Sequence, residues 1–320
     1  MNKRTICWPS IRTSVSLVLI ALVLFTVSVP GLAQGKIYSF GTGSTAASWY
    51  PITASIRTLL TDFDIQLQTT GGITNVVLVS EGRQDFAYVQ DFSLQDAKNG
   101  TAPFEKPADN LRLLYSFMKG YSQYVVPASS DMYYVEDLAG KKVNMVTRQF
   151  STCQANEIVL KAAGIYDDVH KVYLDYGDGA EEFVDGQLDA LLYPVIAPNA
   201  SIENAGRSVP IRLLQFRDEL IAKIREEYPP FIEATLEGGI YSGIDEPIQT
   251  LVSRHVAFTN AEMDEDVVYH LVKTVFENKE RLEQTHVALK QMTLEEMAAP
   301  IEGLEFHPGA LRYFREKGLR

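Results

Sequence analysis

The chain of 320 residues is 46% hydrophobic and 22% charged, and its 41 acidic against 29 basic residues give a formal charge of −12. That balance makes nucleic acid and anionic membranes poor partners, while screening over about 8 Å at physiological salt still allows a local anion site. The length fits two domains or one large one, and two cysteines, Cys7 and Cys153, cannot make a disulfide framework.

Lys3, Arg4 and Arg12 precede an uncharged apolar run from Val15 to Val29, which ends at Pro30-Gly31-Leu32-Ala33. Charged, apolar and small residues in that order form the pattern of a secretory signal peptide over residues 1–33, with cleavage after Ala33. The run is shorter than the roughly 20 residues that span a bilayer as a helix, which argues against a retained anchor. Cleavage leaves Cys153 as the one thiol, and no later run is long and apolar enough to insert into a membrane. A mature chain of this size can bury large cores without a disulfide.

Lys36 to Phe40 is apolar and of strand length, and it stops at the turn Gly41-Thr42-Gly43-Ser44-Thr45. Ile52, Ile56, Leu59 and Leu60 then recur at the spacing of one helix face, with Ser48 as candidate N-cap and Pro51 in the first turn. A strand feeding a helix through a glycine turn leaves backbone N–H groups and hydroxyls facing one spot, suited to a carboxylate or phosphate. Dinucleotide and P-loop signatures are absent: a third glycine is missing and no Lys-Ser/Thr pair follows. Such a turn can equally serve only as a connection.

The same beat repeats. Ile65, Leu67 and Thr69 alternate with polar residues as a strand, Thr70-Gly71-Gly72 turns into a helix carrying Val76 to Val79, and Asp85 to Gln90 reads as a covered central strand. A second set follows, with strands over Lys141–Val146, Val172–Leu174, Ala190–Tyr193, Ile211–Gln215 and Phe231–Leu236. Its helices are read around Asn156–Ala163, ended by Gly164, and around Glu181–Val184 and Asp218–Glu227. Tyr121–Pro127 and Gln249–Phe258 flank this set and read as paired strands that carry the chain out and back. One long amphipathic helix is expected from Asp264 to about Gln284. The expected architecture is α/β and two-lobed, a type II periplasmic-binding-protein-like fold of two mixed, mostly parallel sheets on a two-strand hinge. Residues 34–123 and 252–320 make one lobe and residues 124–251 the other. Ligands of open α/β sheets sit at the carboxyl ends of strands, here inside the cleft.

Several segments together resemble the TAXI-type solute-binding receptors of tripartite ATP-independent periplasmic (TRAP) transporters. GTGSTAASWYP is similar to that family's first turn, and TTGGITNVVLVSEGRQDFAYVQ to its second helix and third strand. LRLLYSF, VEDLAGKKVNM, DGQLDALLY, DEDVVYHLVKTVFEN and the tail LEFHPGALRYFREKGL follow in the expected order. The resemblance implies a periplasmic receptor that closes on a small organic acid or amino acid, such as a glutamate-like compound or a dicarboxylate. It would deliver that solute to an ion-gradient-driven TRAP permease, with no cofactor and no catalysis, and as a monomer. It places Ser44, Thr45 and Tyr50, then Thr70, Gly71 and Asn75, then Gln90, and in the second lobe Ser151 and Thr152, along the cleft. The chain departs from the family at Arg148-Gln149-Phe150-Ser151, at Gln90-Asp91-Phe92 and at Tyr193-Pro194, all near strand ends.

Arg148 at a loop tip could hold a carboxylate through two parallel hydrogen bonds, or be a solvated arginine paired within its own lobe. Ser44, Thr45, Thr70 and Asn75 could contact ligand or merely cap helices. Gln90 and Tyr193 could reach a ligand or close a strand. Cys153 sits at an expected helix start, where a thiol's pKa can fall, but no histidine lies in a catalytic context beside it. His170, His255, His270, His286 and His307 are scattered without metal-ligand spacing. Three rival readings remain: the receptor of a sensor or ATP-driven importer, an exported enzyme on the same fold, and a surface interaction protein.

Overall fold

A computed structural model describes residues 36–45 and 47–320; the leader read over residues 1–33 lies outside them. The first unit forms as the pattern requires: β1 (Ile37–Thr42), α1 (Trp49–Leu59), β2 (Asp64–Thr69), α2 (Gly72–Ser80) and β3 (Phe86–Gln90). β1 pairs in parallel with β2 on one side and β3 on the other. Every residue of β3 is buried, which is why it reads as a continuous apolar run rather than an alternation. α3 (Asp91–Asn99) and the 17-residue β4 (Leu111–Pro127) follow, the expected crossover segment being the last part of β4.

The second unit contains β5 (Lys142–Asn144), α4 (Ser151–Ala162), β6 (His170–Val172), α5 (Tyr176–Val184), β7 (Ala190–Val195), α6 (Ala200–Ser208), β8 (Ile211–Leu213), α7 (Asp218–Glu227) and β9 (Ile232–Leu236). β5 lies in parallel between β6 and β7. The chain returns along β10 (Ile248–Asn260) and ends in α8 (Glu265–Glu277), α9 (Lys279–Leu282), α10 (Leu294–Met297) and α11 (Pro308–Glu316).

The fold is α/β with a mixed sheet. Its strand order is β2-β1-β3-β10-β4-β7-β5-β6, with β8 on β4 and β9 on β10. The two expected sheets are therefore joined into one hydrogen-bonded path, because β4 and β10 pair antiparallel and each continues into both halves. Phe40, Tyr88, Tyr115, Val268, Leu271 and Phe314 belong to one core cluster, so α8 and α11 pack back onto the first unit. Val143, Val159, Leu192 and Phe216 belong to a separate cluster in the second.

Some boundaries differ from the sequence pattern. α4 starts at Ser151, not near Asn156, and α5 starts at Tyr176, not near Glu181. α3 and α6 have no counterpart in the apolar pattern. The helix expected over Asp264–Gln284 is interrupted at Asn278, which caps the end of α8 and whose Nδ2 donates to the Thr274 carbonyl at 2.9 Å. The first turns of α3 and α4 are polar but buried, since they face each other across the two halves, and a hydrophobic count cannot see them.

Candidate functional site

A cavity of about 500 Å³ opens at the carboxyl ends of β1, β3 and β7. Its wall includes Ser44, Ser48 and Trp49 before and at the start of α1, Gly71 and Gly72 at α2, and Ser151 and Thr152 at α4. It also includes Asp175, Tyr176 and Asp178 at α5, and Asn199, Ser201 and Glu203 at α6. Five helix N-termini thus converge on one space. Three of them, those of α1, α2 and α4, have no side-chain cap on their first-turn N–H groups. Backbone carbonyls take the N–H groups of Tyr50, Ile73 and Cys153, and the remaining first-turn donors, at the positive end of a helix dipole, favour an anion. The other two are capped: Asp175 accepts from its neighbour's N–H, and Asn199 Oδ1 accepts from Ser201 and Ile202.

The two halves touch directly at the cavity edge. Ile73 N–H of α2 donates to the Gln149 carbonyl at 3.2 Å. A side chain on Gly71, whose φ is +95°, would place its first carbon 2.7 Å from the Phe150 ring, and one on Gly72 would sit 2.6 Å from Ser151 Oγ. Only glycine permits both this backbone turn and this approach. Further along, Ser93 Oγ of α3 donates to Gln154 Oε1 at 2.6 Å, and Gln154 Nε2 donates to Asp96 Oδ2 at 2.6 Å. Burial pushes the Asp96 carboxyl up to about 6, partly opposed by that Gln154 hydrogen bond.

Histidines that stand apart in sequence meet here. Trp49 Nε1–H donates to His255 Nδ1 at 2.9 Å, and indole nitrogen only donates, so the neutral His255 ring carries its proton on Nε2. Burial pushes His255 down to about 3 and keeps it uncharged. His286 Nδ1 accepts from the Ala288 N–H, which leaves its Nε2–H to donate to Ser48 Oγ at 2.9 Å. Ser48 therefore sits at the N-cap position with its hydroxyl proton still available, rather than capping α1 as the sequence suggests.

A family model described as the NMT1-like family matches residues 40–318. The chain belongs to the NMT1-like family. Among solved structures, this NMT1-like protein is similar to one assigned as an L-cystine ABC transporter from Listeria monocytogenes. The TM-score is 0.52 and the identity 11%, over 78% of this chain and 94% of that one. It is also similar to the arginine-, lysine-, histidine-binding protein ArtJ from Geobacillus stearothermophilus, with a TM-score of 0.51 and 11% identity, over 80% and 96%. At such identities the likeness is one of fold, the type II periplasmic-binding-protein arrangement.

Within this NMT1-like fold, Ser44, Gly71, Gln90, Ser151 and Thr152 line the cavity. Thr45, Tyr50, Thr70, Asn75, Arg148 and Tyr193 do not line it. Asn75 is fully buried beneath the first turn, its Nδ2 donating to the Tyr88 carbonyl at 2.9 Å and its Oδ1 accepting from Thr70. Tyr193 is buried under α5, its hydroxyl donating to the Tyr176 carbonyl at 2.9 Å. The exposed Arg148 guanidinium lies 3.6 Å over the Tyr173 ring, on a different surface groove. Cys153 is buried, and desolvation, aided by Glu157, pushes its thiol up to about 12, the opposite of the lowering that its helix position suggests. Among the described residues, no group of three His, Cys, Asp or Glu could hold a metal ion.

The sequence pattern misses Trp49, His255, His286, Asp175, Asp178 and Glu203 as wall residues. No local spacing links them. Topology does: His255 on β10 lies directly across from Gln90 on β3 in the antiparallel register.

Proposed function

We propose that the chain is the solute-binding receptor of a membrane transporter, taking a small carboxylate-bearing solute into the cavity between its halves. The observation that carries this reading is the convergence of the uncapped N-termini of α1, α2 and α4 on one 500 Å³ space. That volume lies in the range of small-molecule sites, and a carboxylate there would accept from backbone N–H groups and from the hydroxyls of Ser48, Ser151 and Thr152. Micromolar binding requires about −8 kcal/mol, and charge-assisted hydrogen bonds of about 1.5–3 kcal/mol each supply much of it. Ser44, Gly71, Gln90, Ser151 and Thr152 are the proposed contacts, with Thr70, Asn75 and Tyr193 holding the strand ends beneath them.

In this reading residues 34–123 with 252–320 and residues 124–251 are the two lobes, closing about β4 and β10, and the ligand stabilises the closed form by bridging them. The protein is exported by cleavage after Ala33, works in the periplasm as a monomer, and binds without turnover. The TAXI-like segments favour delivery to a TRAP permease. The fold likeness to an L-cystine ABC transporter protein and to ArtJ supports the second reading, delivery to an ATP-driven importer. Mass spectrometry of whatever small molecule co-purifies with residues 34–320, followed by thermal-shift titration with it, tests the receptor reading. Chemical conversion of the solute during incubation would refute it. Neighbouring genes separate the two delivery routes: a large multi-span permease without an ATPase supports TRAP.

A further inference from the structure

The part of the cavity wall built by α5 and α6 has a different chemistry from the uncapped helix ends. Among the described residues that line the cavity, the carboxyl side chains are Asp175, Asp178 and Glu203, and no lysine or arginine joins them. Asp175 is engaged as the cap of α5, accepting from Tyr176 N–H at 2.7 Å. The cation nearest Glu203 is the exposed Arg207, one turn along α6 and 4.0 Å away. Asp178 has no ion pair among the described residues.

An independent observation lies at the cavity floor. Gln90 is 1% exposed, and its Oε1 has no hydrogen-bond partner. The amide orientation is set by its other end, since Nε2 donates to Ser253 Oγ at 2.8 Å and faces the Pro194 carbonyl at 3.4 Å, an atom that can only accept. The orphan is therefore an acceptor waiting for a donor. Across the strand pair, His255 Nε2–H is buried without an acceptor. His255 Nε2 faces Gly120 of β4, whereas leaving the Gln90 oxygen of the cavity lining unpaired costs about 1–3 kcal/mol, so a solute donor that satisfies it gains by doing so.

We propose that the solute carries, besides its carboxylate, an ammonium or guanidinium group that lies on the wall of Asp178 and Glu203, giving it zero or positive net charge. This rests on the receptor reading and narrows it: both ligand types considered, a glutamate-like compound and a dicarboxylate, carry a second carboxylate and are excluded. A second carboxylate would have to sit among three acids, and like charges brought together in a partly desolvated cleft repel. An ammonium offers three donors and a guanidinium five, enough to serve a carboxylate pair and the Gln90 oxygen together.

The test is calorimetric titration of residues 34–320 with pairs that differ in charge: 5-aminovalerate against glutarate, and L-arginine against L-glutamate. In each pair the member of zero or positive net charge should bind at least tenfold tighter. The double variant Asp178→Asn, Glu203→Gln should weaken that member at least tenfold and leave the apparent melting temperature of the unliganded protein unchanged, because both residues sit on exposed or half-buried first turns. Glutarate or L-glutamate binding as tightly as its partner would overturn the proposal and leave the receptor reading intact. So would unchanged L-arginine affinity in the double variant. Absence of binding by all four compounds would remove both the proposal and the carboxylate-receptor reading beneath it.

Discussion

The two halves of the sheet repeat one arrangement, β2-β1-β3 on one side and β6-β5-β7 on the other. α2 and α5 hold equivalent places, each leaving an outer strand and entering the cavity wall by its N-terminus. Yet α2 is capped by Gly71, which contributes no side chain, and α5 by Asp175, whose carboxylate accepts from the Tyr176 N–H. A buried asparagine is also repeated. Asn75 Nδ2 donates to Tyr88 O at 2.9 Å, and Asn156 Nδ2 donates to Leu192 O at 2.8 Å and Met145 O at 3.2 Å. The scaffold is duplicated while the charge at the helix ends is not, so the halves differ in a few cap positions on a shared frame.

The largest expected effect tests the repeated part. Asn75→Ala and Asn156→Ala should each cost about 1–3 kcal/mol, because each strands a buried carbonyl. Urea midpoints would show it, and a loss confined to one variant would break the equivalence of the halves. The unequal part is tested by Gly72→Ala, whose added carbon meets Ser151. It should weaken binding of the co-purified solute about tenfold, or about 1.4 kcal/mol, with little change in the unliganded protein. Equal calorimetric affinity would mean that this approach of α2 to α4 plays no part in binding.

A smaller effect concerns Asp96, which ties the halves through Gln154. Its folded-state value of about 6 lies above the ordinary 3.8, so the folded protein holds this proton more tightly than the unfolded chain does. The contribution is complete below about pH 4 and fades as pH rises through 6. Asp96→Asn, neutral throughout, should flatten that fall in a series of thermal midpoints from pH 4 to 7; an unchanged profile would show that other groups govern it. The smallest effect is expected for Arg148→Ala. It loses stacking on Tyr173 worth about 0.5–1 kcal/mol and should leave solute affinity unaltered in the same titration. A clear loss of affinity would return Arg148 to the site.

Where apolar spacing and glycine turns set the structure, the sequence is a good guide. β1 to β3, the two crossover strands and α7 fall where their patterns point, and Gly164 ends α4 in the left-handed conformation at φ +75°. The pattern fails where tertiary contact replaces solvent. Ser93, Asp96 and Gln154 look like surface residues and are buried against each other. Arg148 reads in sequence as a possible anion clamp, and in the structure its guanidinium lies over Tyr173. The wall histidines and acids come from α5, α6, β10 and the segment after α9, so their meeting depends on register and strand order that no single motif encodes.

β4 and β10 also bear on how this molecule can be taken apart. Each strand contributes its opposite ends to different halves, and the two share a ladder from Val252 to Asn260. Cutting at a lobe boundary would sever both strands and expose raw edges with unpaired N–H and C=O groups, the usual template for aggregation. Neither half should express as a free-standing piece, and recombining halves between related proteins would require junctions in the middle of two paired strands rather than in loops.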